Sequence, residues 1–220
     1  MAGIGTGDSN DTTPTGQPFL TEGLRAVLDQ EHAVICGLGP DLRIAYINPA
    51  YRDFALDNGG GADFDRRFGV GARFLDAVHG QLRDEFTRRL LDALDAGRPW
   101  EHDYECSSAH VFRRFHMKCM PLADRAGLLL IHSLIEERPH DQRARAPFAP
   151  DEKLYLDDNG QIRQCSYCRR VRRIPAHRPP KQEQWDWIPQ WVNQPLRHTT
   201  HGVCPACFTY YTGSFAPASR

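Results

Sequence analysis

The spacing of four cysteines constrains this chain more than any other feature. Cys165 and Cys168 form one C-x-x-C pair, Cys204 and Cys207 form a second, and 35 residues lie between the two pairs. A C-x-x-C turn can present two sulfurs to one ion, and two such turns together make a tetrahedral thiolate cage that suits zinc. The spacing therefore predicts that these four residues hold a structural zinc ion.

The segment around these pairs, residues 157–220, is short and poor in aliphatic residues. We therefore expect zinc binding to supply much of its folding free energy. Four thiolates around a divalent ion leave a charge of about −2. The arginines of residues 169–173 are predicted to offset this charge and to donate hydrogen bonds to the sulfurs. His201, three residues before Cys204, could replace one cysteine as a ligand, but with four thiols present a supporting or helix-capping role is favoured.

Three tryptophans, Trp185, Trp187 and Trp191, lie close together between the two cysteine pairs. Large aromatic side chains can replace the missing aliphatic core of such a segment. If they are exposed instead, they would form a hot spot for a protein partner. The sequence favours the packing interpretation and leaves the other open.

Charge and hydropathy exclude several classes of protein. The 220-residue chain has a formal net charge of −1, which gives no overall attraction to nucleic acid or to an anionic membrane. Residues 157–220 carry +5, however, so a local basic patch for nucleic acid remains a less favoured alternative. The longest apolar run, residues 126–131, is far shorter than the roughly 20 residues of a membrane span, so we expect no membrane association.

The expected cellular compartment limits the chemistry of the seven cysteines. Residues 1–18 have neither the basic region nor the apolar core of a secretory signal, so a cytoplasmic location is expected. In a reducing compartment, cysteines argue for metal binding or thiol chemistry rather than disulfides. Cys36, Cys106 and Cys119 lie on predicted strands and are expected to be small buried thiols.

Hydrophobic periodicity predicts an α+β fold ahead of the cysteine pairs. The predicted elements, in order, are a helix at 21–29, strands at 33–36 and 43–47, a helix from Asn48, a long helix across 82–94 ended by Gly97, and strands at 100–106, 111–122 and 128–135. The late strands lack crossover helices, so they predict a five-stranded antiparallel sheet, with the helices on one face. We expect a disordered tail at 1–20, a sensor domain at 21–137, a linker at 138–153 and a zinc-ribbon-like module at 154–215.

The sensor segment resembles a PAS domain. Residues 41–51 read D-L-R-I-A-Y-I-N-P-A-Y, similar to the D-x-x-I-x-Y-x-N-x-A opening of many PAS sensors. Residues 115–122 end in Met-Pro-Leu, and Gly127 opens the last strand, in matching order. The resemblance implies signal sensing through an unidentified ligand, through homodimerisation, or through both.

Two familiar PAS cofactors are not favoured by the residues. A photoreactive flavin would need a cysteine where Ala72 stands. Haem would need an axial histidine, for which the candidates are His79, His102, His116 and His132. His102 and His116 alternate with polar residues and are expected at the surface, while His132 is expected to be a hydrogen-bonded core histidine, so haem is unlikely on this pattern.

The cysteine segment has a resemblance of its own. Residues 165–172 read C-S-Y-C-R-R-V-R, residues 187–189 read W-I-P, and residues 201–207 read H-G-V-C-P-A-C. This order is similar to a zinc-binding module appended to bacterial PAS and response-regulator signalling proteins. The resemblance implies association with a signalling pathway. Extra basic and proline-rich residues at 174–181 depart from it.

Three functions from different classes are consistent with the sequence. The favoured one is a sensor or adaptor, in which the PAS-like domain is coupled to a zinc module that contacts a protein partner. The alternatives are a thiol-redox switch that releases zinc on oxidation and a nucleic-acid-binding regulator. We expect no enzymatic activity, because the sequence has no nucleophile elbow, phosphate loop or paired catalytic carboxylates.

Overall fold

The computed structural model describes residues 19–58, 60–78, 80–141, 143–175, 183–194 and 196–212. The helices are α1 (Glu22–Leu28), α2 (Pro49–Asp57), α3 (Phe64–Phe68), α4 (Gln81–Ala96), α5 (Pro189–Asn193) and α6 (Pro205–Thr212). The strands are β1 (Val34–Leu38), β2 (Ile44–Ile47), β3 (Trp100–Glu105), β4 (Val111–Pro121), β5 (Leu128–Pro139), β6 (Ile162–Cys165), β7 (Val171–Arg172), β8 (Trp185–Asp186) and β9 (Thr199–Gly202). Short 3₁₀ helices lie at Phe74–Ala77, Ala123–Arg125 and Glu152–Leu154.

A five-stranded sheet has the order β2-β1-β5-β4-β3. β1 pairs antiparallel with both β2 and β5. Only short loops join β3 to β4 and β4 to β5, and a parallel pair would need a long crossover. The structure therefore confirms the α+β class and the five-stranded antiparallel sheet.

Asn48 joins the first hairpin to the helix that follows it. Its side-chain oxygen accepts hydrogen bonds from Tyr51 N at 2.9 Å, as the N-cap of α2, and from Ile35 N on β1 at 3.0 Å. Its amide nitrogen donates to the carbonyl of Ala33 at 2.9 Å. Asn48 is 1% exposed, and these bonds satisfy its polar atoms. The asparagine of the sequence motif thus serves as both a helix cap and a strand anchor.

Helices lie on both faces of the sheet, not on one face as predicted. Neighbouring residues of a strand point to opposite faces. Ile35 of β1 belongs to a buried cluster with Phe19 and Leu28, at the two ends of the α1 segment. Cys36, the next residue, faces Tyr51 of α2. Burial, with a smaller contribution from the Cys36 thiol, raises the pKa of this tyrosine. The prediction failed because the apolar face of α1 does not specify which face of the sheet it covers.

A second, four-stranded sheet has the order β8-β7-β6-β9. β6 pairs antiparallel with β7 but parallel with β9. Its core cluster consists of Tyr155, Ile162, Val171, Ile188 and Trp191.

The chain divides into two compact units. Among the described residues, the first unit contains those within 19–77, 87–100 and 118–132, and the second contains those within 78–86, 101–117 and 133–212. The second unit thus includes the cysteine pairs, the first residues of α4 and most of β3. No helix in the described ranges is long and apolar enough to cross a bilayer.

The segment expected to be a linker makes specific contacts within the second unit. Arg145 pairs with Glu105 through hydrogen bonds of 2.6 and 2.7 Å to its two carboxylate oxygens. Only 10% of the Arg145 side chain and 6% of the Glu105 side chain are exposed. Phe148 N donates to the carbonyl of Trp187 at 2.8 Å. This ion pair is therefore part of the packed interior of the unit.

Candidate metal centre

The four cysteines of the two C-x-x-C pairs meet at one point. The sulfurs of Cys165, Cys168, Cys204 and Cys207 all lie within 4.8 Å of one another, and all four residues are buried. The Cys168 and Cys204 sulfurs are 3.7 Å apart. A disulfide would hold them at about 2.0 Å, whereas a tetrahedral site with zinc–sulfur bonds of 2.3 Å separates its sulfurs by about 3.8 Å. The sulfurs therefore have the spacing of a four-thiolate metal site.

Two turns bring the sulfurs together. Cys165 ends β6, and the turn after it closes through hydrogen bonds from Cys165 N to the Arg170 carbonyl and from Arg169 N to the Cys165 carbonyl. Arg169 has a φ of 61°, the left-handed conformation that such a turn requires. The parallel pairing of Cys165 with Gly202 then sets β9 beside the first turn, two residues before Cys204.

The sulfurs also accept hydrogen bonds from the backbone. Cys204 N donates to the Cys165 sulfur, and Cys207 N donates to the Cys204 sulfur, both at 3.4 Å. Hydrogen bonds from the Cys168, Cys204 and Cys207 thiols lower the pKa of Cys165. A thiolate at Cys165 in turn raises the pKa of Cys168 and Cys207. Each of these thiols donates a hydrogen bond to the Cys165 sulfur and loses that bond when it ionises. A divalent cation among the sulfurs would allow all four to ionise.

Three of the four arginines after the first pair make contacts away from the sulfurs. Arg170 donates to the carbonyl of Ala144 at 2.7 Å, and Arg172 lies 3.7 Å from the Glu183 carboxylate. Arg173 donates to the buried Asp186 carboxylate at 2.6 Å. These contacts tie the second sheet to neighbouring segments, so the prediction that this run donates to the sulfurs is not supported for these three residues.

His201 is not part of the metal-binding group. It lies on β9 opposite Gln164, and among the described residues only the four cysteines form a group with ligand spacing. The tryptophans mostly follow the packing interpretation, because Trp187 and Trp191 are buried and Trp185 is half-buried against the cysteine cluster.

An aromatic cluster covers the cysteines and was not predicted. Tyr167, inside the first C-x-x-C pair, stacks on Tyr211 of α6 with ring centroids 4.1 Å apart. His102 of β3 lies against both rings, and its Nε2 is 3.1 Å from the Tyr167 hydroxyl. The one available sequence signal was the spacing of Cys207 and Tyr211, which puts both on one face of a helix.

His102 is therefore not the surface residue that we predicted, since it is only 3% exposed. Alternation of polar residues along β3 indicates two faces, but it cannot show that the cysteine segment covers one of them. The buried imidazole has a hydrogen-bond partner in Tyr167, which makes its burial tolerable.

The other histidines and cysteines considered from the sequence do not join the metal centre. His116 is half-exposed and lies 2.7 Å from the Asp103 carboxylate, close to its predicted surface position. His132 is buried, as predicted, and desolvation lowers its pKa to about 4. Burial raises the pKa of the Cys36 and Cys119 thiols to about 12, as befits inert buried thiols. Cys106 is half-buried, and burial raises its pKa as well. His79 lies outside the described residues.

Comparisons with known proteins give likenesses of structure only. No family model matches the chain, and no curated protein matches it. The chain is similar to the PAS domain from Bordetella pertussis BvgS, at 22% identity over 53% of this chain and 87% of that one, with a TM-score of 0.42. It is similar to a PAS domain from a two-component sensor histidine kinase, at 11% identity over 54% and 95%, with a TM-score of 0.33. It is also similar to the PAS domain of nitrogen regulation protein NR(II) from Vibrio parahaemolyticus, at 18% identity over 55% and 100%, with a TM-score of 0.32.

Proposed function

We propose that this chain is a signal-transduction sensor or adaptor that combines a PAS-like domain at 21–137 with a structural zinc module at 154–215. The observation that carries the proposal is the buried cluster of four cysteine sulfurs, all within 4.8 Å of one another. Cys165, Cys168, Cys204 and Cys207 would fill the tetrahedral shell of zinc and leave no position for water or substrate. The ion would therefore supply folding free energy rather than catalysis.

The sensing part of the proposal has weaker support, from the motif at residues 41–51 and the five-stranded antiparallel sheet. The motif asparagine, Asn48, caps a helix and anchors β1, so this residue serves the fold. In this proposal, the signal is received through binding of an organic ligand, through homodimerisation, or through both. Haem is not the proposed ligand.

The proposed output is contact with a protein partner, and exposed aromatic side chains on α6 support it. Phe208 and Tyr210 are each 58% exposed, directly beyond the second cysteine pair. Exposed aromatic residues on a rigid element are typical of protein-binding surfaces. Zinc would hold α6 in place, because Cys207 lies in the first turn of that helix. The proposed function is non-enzymatic.

Metal analysis of the purified full chain tests this proposal. We expect one zinc per chain in the native protein and none in the Cys204→Ser variant. Cys106→Ser, which alters a half-buried thiol outside the cluster, is the matched control and should retain the zinc. A native chain that binds no metal under reducing conditions would contradict the proposal.

Release of zinc by oxidation is a second candidate, and one observation favours it. The Cys168 and Cys204 sulfurs lie 3.7 Å apart, so an oxidant such as peroxide could join them in a disulfide and remove two of the four zinc ligands. Zinc release on mild peroxide treatment, reversed by a reductant, would support this switch. Retention of zinc under the same treatment would contradict it.

Nucleic-acid binding receives less support. Arg170, Arg172 and Arg173 already contact groups of the protein, which leaves fewer of their donors for phosphates. A steep salt dependence of binding to a DNA or RNA duplex would be the evidence for it.

A further inference from the structure

We propose that metal binding at the four cysteines fixes the start of helix α4 and strand β3, so that the metal state of the module controls the order of these two elements. The inference rests on the metal site proposed above. It goes further because it names the elements outside the module that respond to the metal.

The first link is a line of contacts from the first cysteine pair to β3. Tyr167 lies between Cys165 and Cys168, so the turn that holds the metal also positions its ring. The Tyr167 hydroxyl is 3.1 Å from His102 Nε2 on β3. His102 is buried, so release of Tyr167 would leave a buried imidazole without this partner.

The second link connects the same cluster to α4. The ring of Phe86, in the second turn of α4, meets the edge of the His102 ring at a centroid distance of 5.6 Å. Leu82, one turn earlier, packs against the cluster that contains the four cysteines. The face of α4 near its start therefore contacts His102 and the cluster that contains the four cysteines.

The third link is a close approach of two backbones. Gly80, just before α4, has a φ of +62°, and a Cβ atom there would lie 2.4 Å from the His201 carbonyl oxygen. His201 is three residues before Cys204, so the segment that leads into the second cysteine pair contacts the residue just before α4. Residues beside both cysteine pairs thus contact β3 or the start of α4.

Helix α4 has residues in both compact units. α4 runs from Gln81 to Ala96, and its residues from Thr87 onward belong to the first compact unit, with Leu90 fully buried. The conformational order of the first turns of α4 is the property that, in this inference, the metal state alters. Without the metal, no bonds would hold the four sulfurs at one point, and the turn that positions Tyr167 would loosen.

Hydrogen exchange of the full chain tests the inference, with zinc alone as the probe. Exchange is measured by mass spectrometry on zinc-loaded protein and on protein stripped by a chelator. We expect exchange in peptides covering 81–90 and 100–106 to speed up about tenfold on zinc removal, because opening of these elements becomes easier. Peptides covering β1, Val34–Leu38, should change much less.

Two variants make the test specific. Tyr167→Phe retains the ring and loses the hydroxyl bond to His102, so zinc-loaded protein should show faster exchange at 100–106 while keeping its zinc. Tyr210→Phe is the matched control, since this tyrosine on α6 has its hydroxyl bonded to Arg114 instead. It should leave the exchange at 100–106 unchanged.

The outcomes separate the inference from the proposed function. If zinc binds, and its removal speeds exchange only at 162–172 and 199–212, the metal site stands and the coupling is wrong. If elemental analysis shows that the loaded chain holds no zinc, the proposed metal site is wrong and the inference falls with it.

Discussion

Two glycines at the two ends of α4 allow a matched test of how this helix meets the cysteine module. Gly80 precedes the helix and Gly97 follows it, with φ angles of +62° and +63°. An alanine in this left-handed conformation costs roughly 1–2 kcal/mol. A Cβ atom at Gly97 would have no atom within 4 Å, so Gly97→Ala measures this backbone cost alone.

Gly80→Ala adds a steric cost to the same backbone cost. Its Cβ would lie 2.4 Å from the His201 carbonyl oxygen, a backbone atom that must move. Overpacking of this kind costs typically about 1–3 kcal/mol. We therefore expect Gly80→Ala to lower the free energy of unfolding by about 2–5 kcal/mol, against about 1–2 kcal/mol for Gly97→Ala.

Urea unfolding followed by circular dichroism, together with zinc competition against a chromophoric chelator, provides the assay. Gly80→Ala should weaken zinc binding about tenfold, which corresponds to roughly 1.4 kcal/mol of the steric cost reaching the metal site. Gly97→Ala should leave zinc affinity unchanged. Equal losses of stability in the two variants, or unchanged zinc affinity in Gly80→Ala, would refute the argument that α4 and the second cysteine pair are in contact.

Three further predictions concern other parts of the chain. Cys204→Ser should abolish stoichiometric zinc binding in elemental analysis, while Cys106→Ser retains it; zinc in both would contradict the ligand set. Glu105→Gln should cost about 3–5 kcal/mol in urea unfolding, because it leaves Arg145 buried without its carboxylate, and adding Arg145→Met should recover part of that loss. The pKa of His132 is about 4 in the folded chain and about 6.5 unfolded, so the unfolded state binds more protons, and stability should fall by about 3 kcal/mol as pH drops from 6.5 to 4. His132→Leu should flatten this dependence, and pH curves that stay parallel would contradict it.

The sequence predicted those elements whose local pattern determines them. Gly39 and the residues after it form the expected turn between β1 and β2, where Leu42 N donates to the Gly39 carbonyl. Asn48 caps α2 as predicted, because an asparagine before a proline is a local signal. The cysteine cluster was also predictable, since two C-x-x-C turns in a short segment have the spacing that is typical of a four-thiolate metal site.

What the sequence could not predict depends on contacts between distant segments. Burial of His102 depends on Tyr167, 65 residues away, and no periodicity in β3 indicates that partner. The parallel pairing of β6 with β9 depends on the path of the chain between the cysteine pairs. The ion pair of Arg145 lies in a segment whose prolines and charges resembled a spacer, because composition does not show which charged side chains find buried partners.

Elemental analysis of the native full chain, purified without added metal and under reducing conditions, tests the central claim most directly. Four buried sulfurs with tetrahedral spacing predict about one zinc per chain and no stoichiometric iron. Stoichiometric iron would contradict the structural zinc module and point to an iron–thiolate centre, and absence of any metal would contradict the metal site itself.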